Sequence, residues 1–118
     1  MAVVKEVSIG DKQIRFMASA RTPRIYRQTT GRDIMVDMKS LSDRFNAAKD
    51  SNEQLRAIDL TVFEDLAYVM AKQADVTIPD TADEWLDEFD TFDIYEIFPS
   101  LMDLWNTNKA GLSVAKKK

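Results

Sequence analysis

Apolar and polar positions alternate at the start of the chain. Val3 to Ile9 and Ile14 to Ala18 read as two short strands around the turn signal Gly10-Asp11-Lys12-Gln13. Pairing Ile9 with Ile14 also pairs Val7 with Phe16. That register puts all four apolar side chains on one face and leaves Ser8, Arg15 and Met17 on the other. A β-hairpin over residues 3–18 follows, and it needs helices to cover its apolar face.

From residue 22 the period changes to that of helices. Thr22-Pro23 predicts a helix opening, with Thr22 as N-cap and Pro23 at the first helical position, and Gly31 suits a left-handed C-cap. Asp33 is placed to cap a second helix, in which Ile34, Met38, Leu41, Phe45 and Ala48 form one stripe. Ser51 with Gln54 is a capping box that opens the longest helix, about residues 52–73, with Leu55, Ile58, Val62, Leu66 and Val69 on its inner face. Val76 to Pro79 reads as a short extended stretch. Thr81 with Glu84 is a second capping box, before Trp85, Leu86 and Phe89, and residues 92–107 form a last helix that Pro99 is expected to kink or split. The fold class is therefore mainly α: a small domain of four to five helices, about residues 23–107, with an N-terminal β-hairpin. Residues 1–110 form the single domain and 111–118 a flexible basic tail.

The chain has 118 residues, 45% of them hydrophobic, which suits one core that buries roughly two-thirds of the unfolded surface. Its net charge of −4 hides a segregation: residues 1–72 carry twelve bases and ten acids, residues 73–108 ten acids and no base, and residues 109–118 four lysines. There is no cysteine and no histidine. Disulfides, thiolate nucleophiles, Cys/His zinc sites and imidazole acid–base chemistry are thereby excluded. The start MAVVKEVSIG is too polar for a signal sequence, and no apolar run approaches the ~20 residues that span a bilayer, so the expected setting is cytosolic with no membrane partner.

Asp83 with Asp87, and Glu84 with Glu88, stand one helical turn apart, a spacing that suits a cation or an acid–base pair. The calcium-loop pattern is missing, and the reading taken is a solvated helical face with no metal or cofactor; a divalent-metal enzyme is the rival. Arg21, Arg24 and Arg27, with Tyr26 among them, would suit phosphate or RNA, but the surrounding acids offset them. They are expected instead to pair with Asp33, Asp37 or the acidic segment, or to cover apolar surface with their stems, and no nucleic-acid partner is expected. A small nucleic-acid-associated or DNA-mimicking regulator is the alternative. With no His for a triad and no Gly-rich phosphate loop, the chain does not read as an enzyme.

In the last helix Ile94, Tyr95, Ile97, Phe98, Leu101, Met102, Leu104 and Trp105 make eight of twelve residues apolar or aromatic. They cover about half the circumference, wider than the stripe of about 100° that one core contact needs. Either the helix is sandwiched between two neighbours, or part of it meets a client or a sister subunit. Trp85, Phe89, Ile94, Tyr95, Phe98, Leu101, Met102 and Trp105 are the candidate partner-binding residues.

The stretch Ala20-Arg21-Thr22-Pro23-Arg24-Ile25-Tyr26-Arg27, followed by Gly31-Arg32-Asp33-Ile34, resembles the N-terminal block of tail assembly chaperones of long-tailed phages and prophages of Gram-positive hosts. Phe63-Glu64-Asp65-Leu66-Ala67-Tyr68-Val69-Met70-Ala71 is similar to that family's central helix. Glu84-Trp85-Leu86-Asp87-Glu88-Phe89, Ile94-Tyr95-Glu96-Ile97 and Leu104-Trp105 are similar to its C-terminal block. The resemblance covers nearly the whole chain in order and makes Arg21, Pro23, Tyr26, Arg27, Gly31 and Asp33 the family-motif residues. One departure is Thr30, where the family usually has a bulky apolar residue before the glycine; it is expected to alter the packing of the first turn.

The resemblance implies a protein of the host cytoplasm, absent from the mature virion, that keeps the helix-rich tape measure protein soluble until tail tube protein polymerises around it. The tail tube protein and a sister copy are the further partners it allows. Families of this kind are often made in two lengths by ribosomal frameshifting. The lysine codons of Val114-Ala115-Lys116-Lys117-Lys118 would supply an A-rich slip site for a short product. An aromatic and Met-bearing apolar surface suits a helical client, and the flanking acids suit solubility of the loaded complex.

Overall fold

The computed structural model describes residues 3–47, 60–92 and 94–117, with backbone alone for 45–47, 60, 94–95 and 108–117. The elements are β1 (Val3–Ile9), β2 (Lys12–Ala18), α1 (Thr22–Thr30), α2 (Ile34–Ala47), α3 (Leu60–Ala74), α4 (Ala82–Leu86) and α5 (Ile94–Lys117). This is the mainly helical fold with an N-terminal antiparallel hairpin. Ala48, the Ser51/Gln54 capping box, Leu55 and Ile58 lie outside the described residues.

The hairpin register differs from the expected one by two residues: Val7 faces Ile14, Ile9 faces Lys12 and Lys5 faces Phe16. Gly10 has φ +64°, so Gly10 and Asp11 alone make the connection, a tight Gly-first turn in place of a four-residue loop. A slip of two keeps every side chain on its face, and Val7, Ile9, Phe16 and Ala18 are all buried as the alternation requires.

Thr22 is the first residue of α1, not its cap. Arg21 takes the cap position without a side-chain bond, and Pro23 sits in the first turn. The buried Thr22 hydroxyl is used elsewhere: Oγ1 accepts from the Ser19 N–H at 2.9 Å and donates to Gln73 Oε1 at 2.6 Å. Gly31 closes α1 in the left-handed region at φ +77°, its N–H bonded to the Arg27 carbonyl. Asp33 caps α2, its Oδ1 accepting from the Met35 N–H at 2.8 Å. Ile34, Met38 and Leu41 then turn inward as one stripe.

The centre of the fold is α3, buried at every position from Leu66 to Ala71. A single inner face was expected, yet β2, α1, α2 and α4 all pack around this helix, so each side of it meets a neighbour. The segment after α3 is a turn rather than an extended stretch. The Asp75 carboxylate accepts from the Thr77 N–H at 2.9 Å and hydroxyl at 2.6 Å, which holds its titration below the ordinary range. Lys72 Nζ donates to the carbonyls of Val76 (2.9 Å) and Ile78 (2.7 Å) and to Asp80 (3.0 Å), fastening the turn to the end of α3.

Thr81 caps α4 through the Glu84 N–H, and this short helix delivers Trp85 into an aromatic cluster. The Trp85 ring lies 6.5 Å from Phe16, 5.8 Å from Tyr68, 5.2 Å from Phe89 and 5.5 Å from Phe92, mostly edge to face. Helix α5 continues through Pro99 without being split, and it runs to Lys117, so residues 111–117, read as a flexible tail, are helical backbone. It packs against β1 and β2, where Lys5 pairs with Asp103 at 2.9 Å.

Candidate partner-binding groove

The candidate partner-binding residues divide by burial. Trp85, Phe98, Leu101 and Trp105 are core side chains, with Phe98 2% and Trp105 5% exposed; Phe89 and Met102 are half-buried. The side chains of Ile94 and Tyr95 lie outside the described residues. The described part of the α5 stripe is thus largely consumed inside the fold, where α5 packs on the hairpin and Phe98 meets Phe63 of α3 at 6.1 Å. Of the two readings of that stripe, the sandwiched helix describes Phe98, Leu101 and Trp105. Among the described side chains of this set, outside access is left to Met102 and Phe89.

Met102 leads to a surface that the α5 stripe alone does not reveal. A groove of about 480 Å³ separates α5 from α2, lined by Met35, Val36, Met38, Met102 and Trp105, with Lys39, Ser42, Asp43 and Asn106 as its polar part. Met38 and Trp105 are the buried floor; Met35 at 47% and Val36 at 64% exposure stand at the rim. Ile34-Met35-Val36 explains the rim: at about 100° per residue, three consecutive apolar residues cannot all face one core, and Ile34 takes that place. The off-stripe pair Met35 and Val36 is the readable signal of this rim in the sequence.

The position of α2 is set by a polar network beneath it. Tyr26 Oη donates to Asp37 Oδ2 at 2.5 Å, and Arg32 donates to Asp37 at 3.0 Å, to Tyr26 Oη at 3.1 Å and to Asp65 at 2.8 Å. The guanidinium also lies 5.7 Å from the Tyr26 ring centre. One cation therefore joins α1, α2 and α3. Burial, then the bond to Asp37, pushes the Tyr26 hydroxyl well above its ordinary titration range; the bonds to Asp65 and Tyr26 hold Arg32 firmly protonated.

Four of the six residues singled out by the resemblance have structural roles. Tyr26 anchors the network, Gly31 closes α1, Asp33 caps α2 and Pro23 sits in the first turn of α1. Arg21 and Arg27, with Arg24 between them, are exposed and make no ion pair among the described residues. The expected pairing of these three is corrected accordingly. Asp37 is taken by Arg32 and Tyr26, and Asp33 by backbone N–H groups of α2.

In the acidic region, Glu64 is half-buried, and burial followed by the charges of Asp65 and Asp83 raises its titration above the ordinary carboxylate value. Among the described residues, no group of three or more acidic side chains stands close enough to hold a metal ion. No helix among them is long and apolar enough to cross a membrane. Comparison with protein-family models, with curated proteins and with solved structures finds no match.

Proposed function

We propose that the chain is a tail assembly chaperone of the long-tailed phage type, a non-enzymatic protein that holds an amphipathic helix of the tape measure protein. The observation that carries the binding role is the exposed, Met-lined groove between α2 and α5. The main contacts of α2 among the described residues are with α1 and α3, and the groove lies between it and α5. Thioether side chains at its floor and rim adapt to varied apolar shapes, as helix-binding grooves require. The phage assignment is supported by the ordered resemblance from Ala20 to Trp105. In this role the protein acts in the host cytoplasm, stays out of the virion and is the short product of a frameshifted gene.

The test is co-expression with the tape measure protein of the same phage, followed by co-purification of wild type and of Met35→Ser/Val36→Ser. The wild type is expected to hold the client in solution and the variant to lose it while keeping its fold. Failure of the wild type to bind any tape measure segment would overturn the chaperone role. Full binding by the folded double variant would instead move the site away from this groove.

A further inference from the structure

Among the described residues that make no ion pair, two groups form patches of opposite sign. Arg21, Arg24 and Arg27 recur every three residues, so they share one side of α1, and all three are exposed. On α4 and the turn after it, Glu84, Asp87 and Glu88 are exposed in the same way. No member of either patch makes an ion pair among the described residues, where the acids Asp37, Asp65, Asp80 and Asp103 are matched by Arg32, Lys72 and Lys5.

Part of each patch works against the helix that carries it, although Arg27 in the last turn of α1 and Glu84 in the first turn of α4 suit their helix ends. The first turn of α1 has no acid, and Arg21 and Arg24 stand at its positive end, where the aligned peptide dipoles oppose a cation. Asp87 and Glu88 stand, in a weaker version of the same conflict, at the negative end of α4, which has no base in its last turn. Charges that the fold does not pair, of which Arg21, Arg24, Asp87 and Glu88 also oppose their helix dipoles, are left for a contact outside the monomer.

We infer that the arginine face of α1 docks on the acidic α4 face of a second copy of this chain. The occupant follows from charge complementarity: residues 73–108 hold ten acids and no base, and the matching cations are on the other patch of the same molecule. Because the two patches differ, the contact is head to tail, and each added copy leaves one patch of each sign free, so association extends as a chain or closes as a ring. Exposed ion pairs are individually weak and screened by salt, so the association is reversible and salt-labile. Three arginines offset by nearby acids form a small patch for nucleic acid, which favours the protein partner. The inference does not depend on what the groove binds.

Sedimentation of the full chain at about 10 mM salt, where screening extends ~30 Å, and at about 1 M, where it extends ~3 Å, reads the effect. The mass-average is expected above the monomer at low salt and at the monomer at high salt. Arg21→Glu/Arg24→Glu/Arg27→Glu and Glu84→Lys/Asp87→Lys/Glu88→Lys, each folded by circular dichroism, are each expected to stay monomeric at low salt. Mixing the two restores association, since every contact again joins unlike charges. A wild type that stays monomeric at low salt, or a mixture of the two folded variants that does so, overturns the inference. So does retention of a single-stranded oligonucleotide by the arginine face in place of self-association.

Discussion

The hydroxyl of Tyr26 in α1 and the carboxylate of Asp37 in α2 meet at 2.5 Å, with Arg32 bonded to both. This contact sets where α2 lies and hence how wide the groove toward α5 stands. Tyr26→Phe removes the donor and leaves the ring in place. It is expected to cost about 1–3 kcal/mol, read as a lower urea midpoint.

The same residue makes an alkaline prediction. The folded state holds the Tyr26 proton more tightly than the unfolded chain does, where the ordinary value is 10.0. Its contribution is therefore complete below that value and is lost as pH rises above it. Stability of the wild type is expected to fall from about pH 10 upward, and Tyr26→Phe to fall less steeply, with Tyr68, shifted the same way, supplying the remainder. Parallel pH–stability curves for the two proteins would contradict this.

Glu64 acts in the opposite range. Its folded-state titration is raised, so the ionised form is disfavoured by folding; stability is greatest below the unfolded value of 4.5 and declines as pH rises through the folded value. Glu64→Gln is expected to raise the denaturation midpoint at pH 7, by up to about 0.5 kcal/mol. The gain should vanish near pH 4, and a gain equal at both pH values would show that the charge is not its cause.

Burial separates two classes of apolar substitution around the groove. Trp105→Ala empties a core site and is expected to cost about 3–5 kcal/mol, enough to compromise folding. Val36→Ser, at an exposed rim, should change stability by about 0.5 kcal/mol or less while weakening client binding. Thermal melts of the two variants beside client co-purification distinguish a stability effect from a binding effect.

At Gly31 a Cβ would meet nothing within 4 Å, so the cost of a side chain is the left-handed backbone alone. Gly31→Ala is expected to destabilise by about 1–2 kcal/mol and Gly31→Asn by less, because Asn tolerates that region. Equal losses for the two, measured by thermal melting, would mean that packing rather than backbone conformation decides this position.

Features governed by a few neighbouring residues were legible in the chain itself. The alternation of Val7, Ile9, Phe16 and Ala18 named the buried face of the hairpin, Asp33 and Thr81 named two helix starts, and Gly31 named a helix end. Misreadings arose where a local rule met a distant partner. Thr22 has the form of an N-cap, yet its hydroxyl is claimed by Gln73, 51 positions away. Residues 94–105 have the composition of a binding surface, yet Phe98, Leu101 and Trp105 are covered by elements from the first two-thirds of the chain.

Sequence alone determined the element types, the faces of the hairpin and the lack of cysteine and histidine chemistry, because periodicity, capping and composition act within a few residues of where they are read. Tertiary structure alone decided that Arg32, not Arg21, Arg24 or Arg27, takes Asp37 and Asp65. It also decided that Leu66 to Ala71 of α3 are all enclosed, and that the apolar surface of the α2–α5 groove is offered by Met35, Val36 and Met102, while Phe98, Leu101 and Trp105 of the α5 stripe are buried. The physical reason is that a helical stripe states only which side chains must leave water. Which neighbour covers them, and which charges find a partner, depends on contacts between residues far apart in sequence.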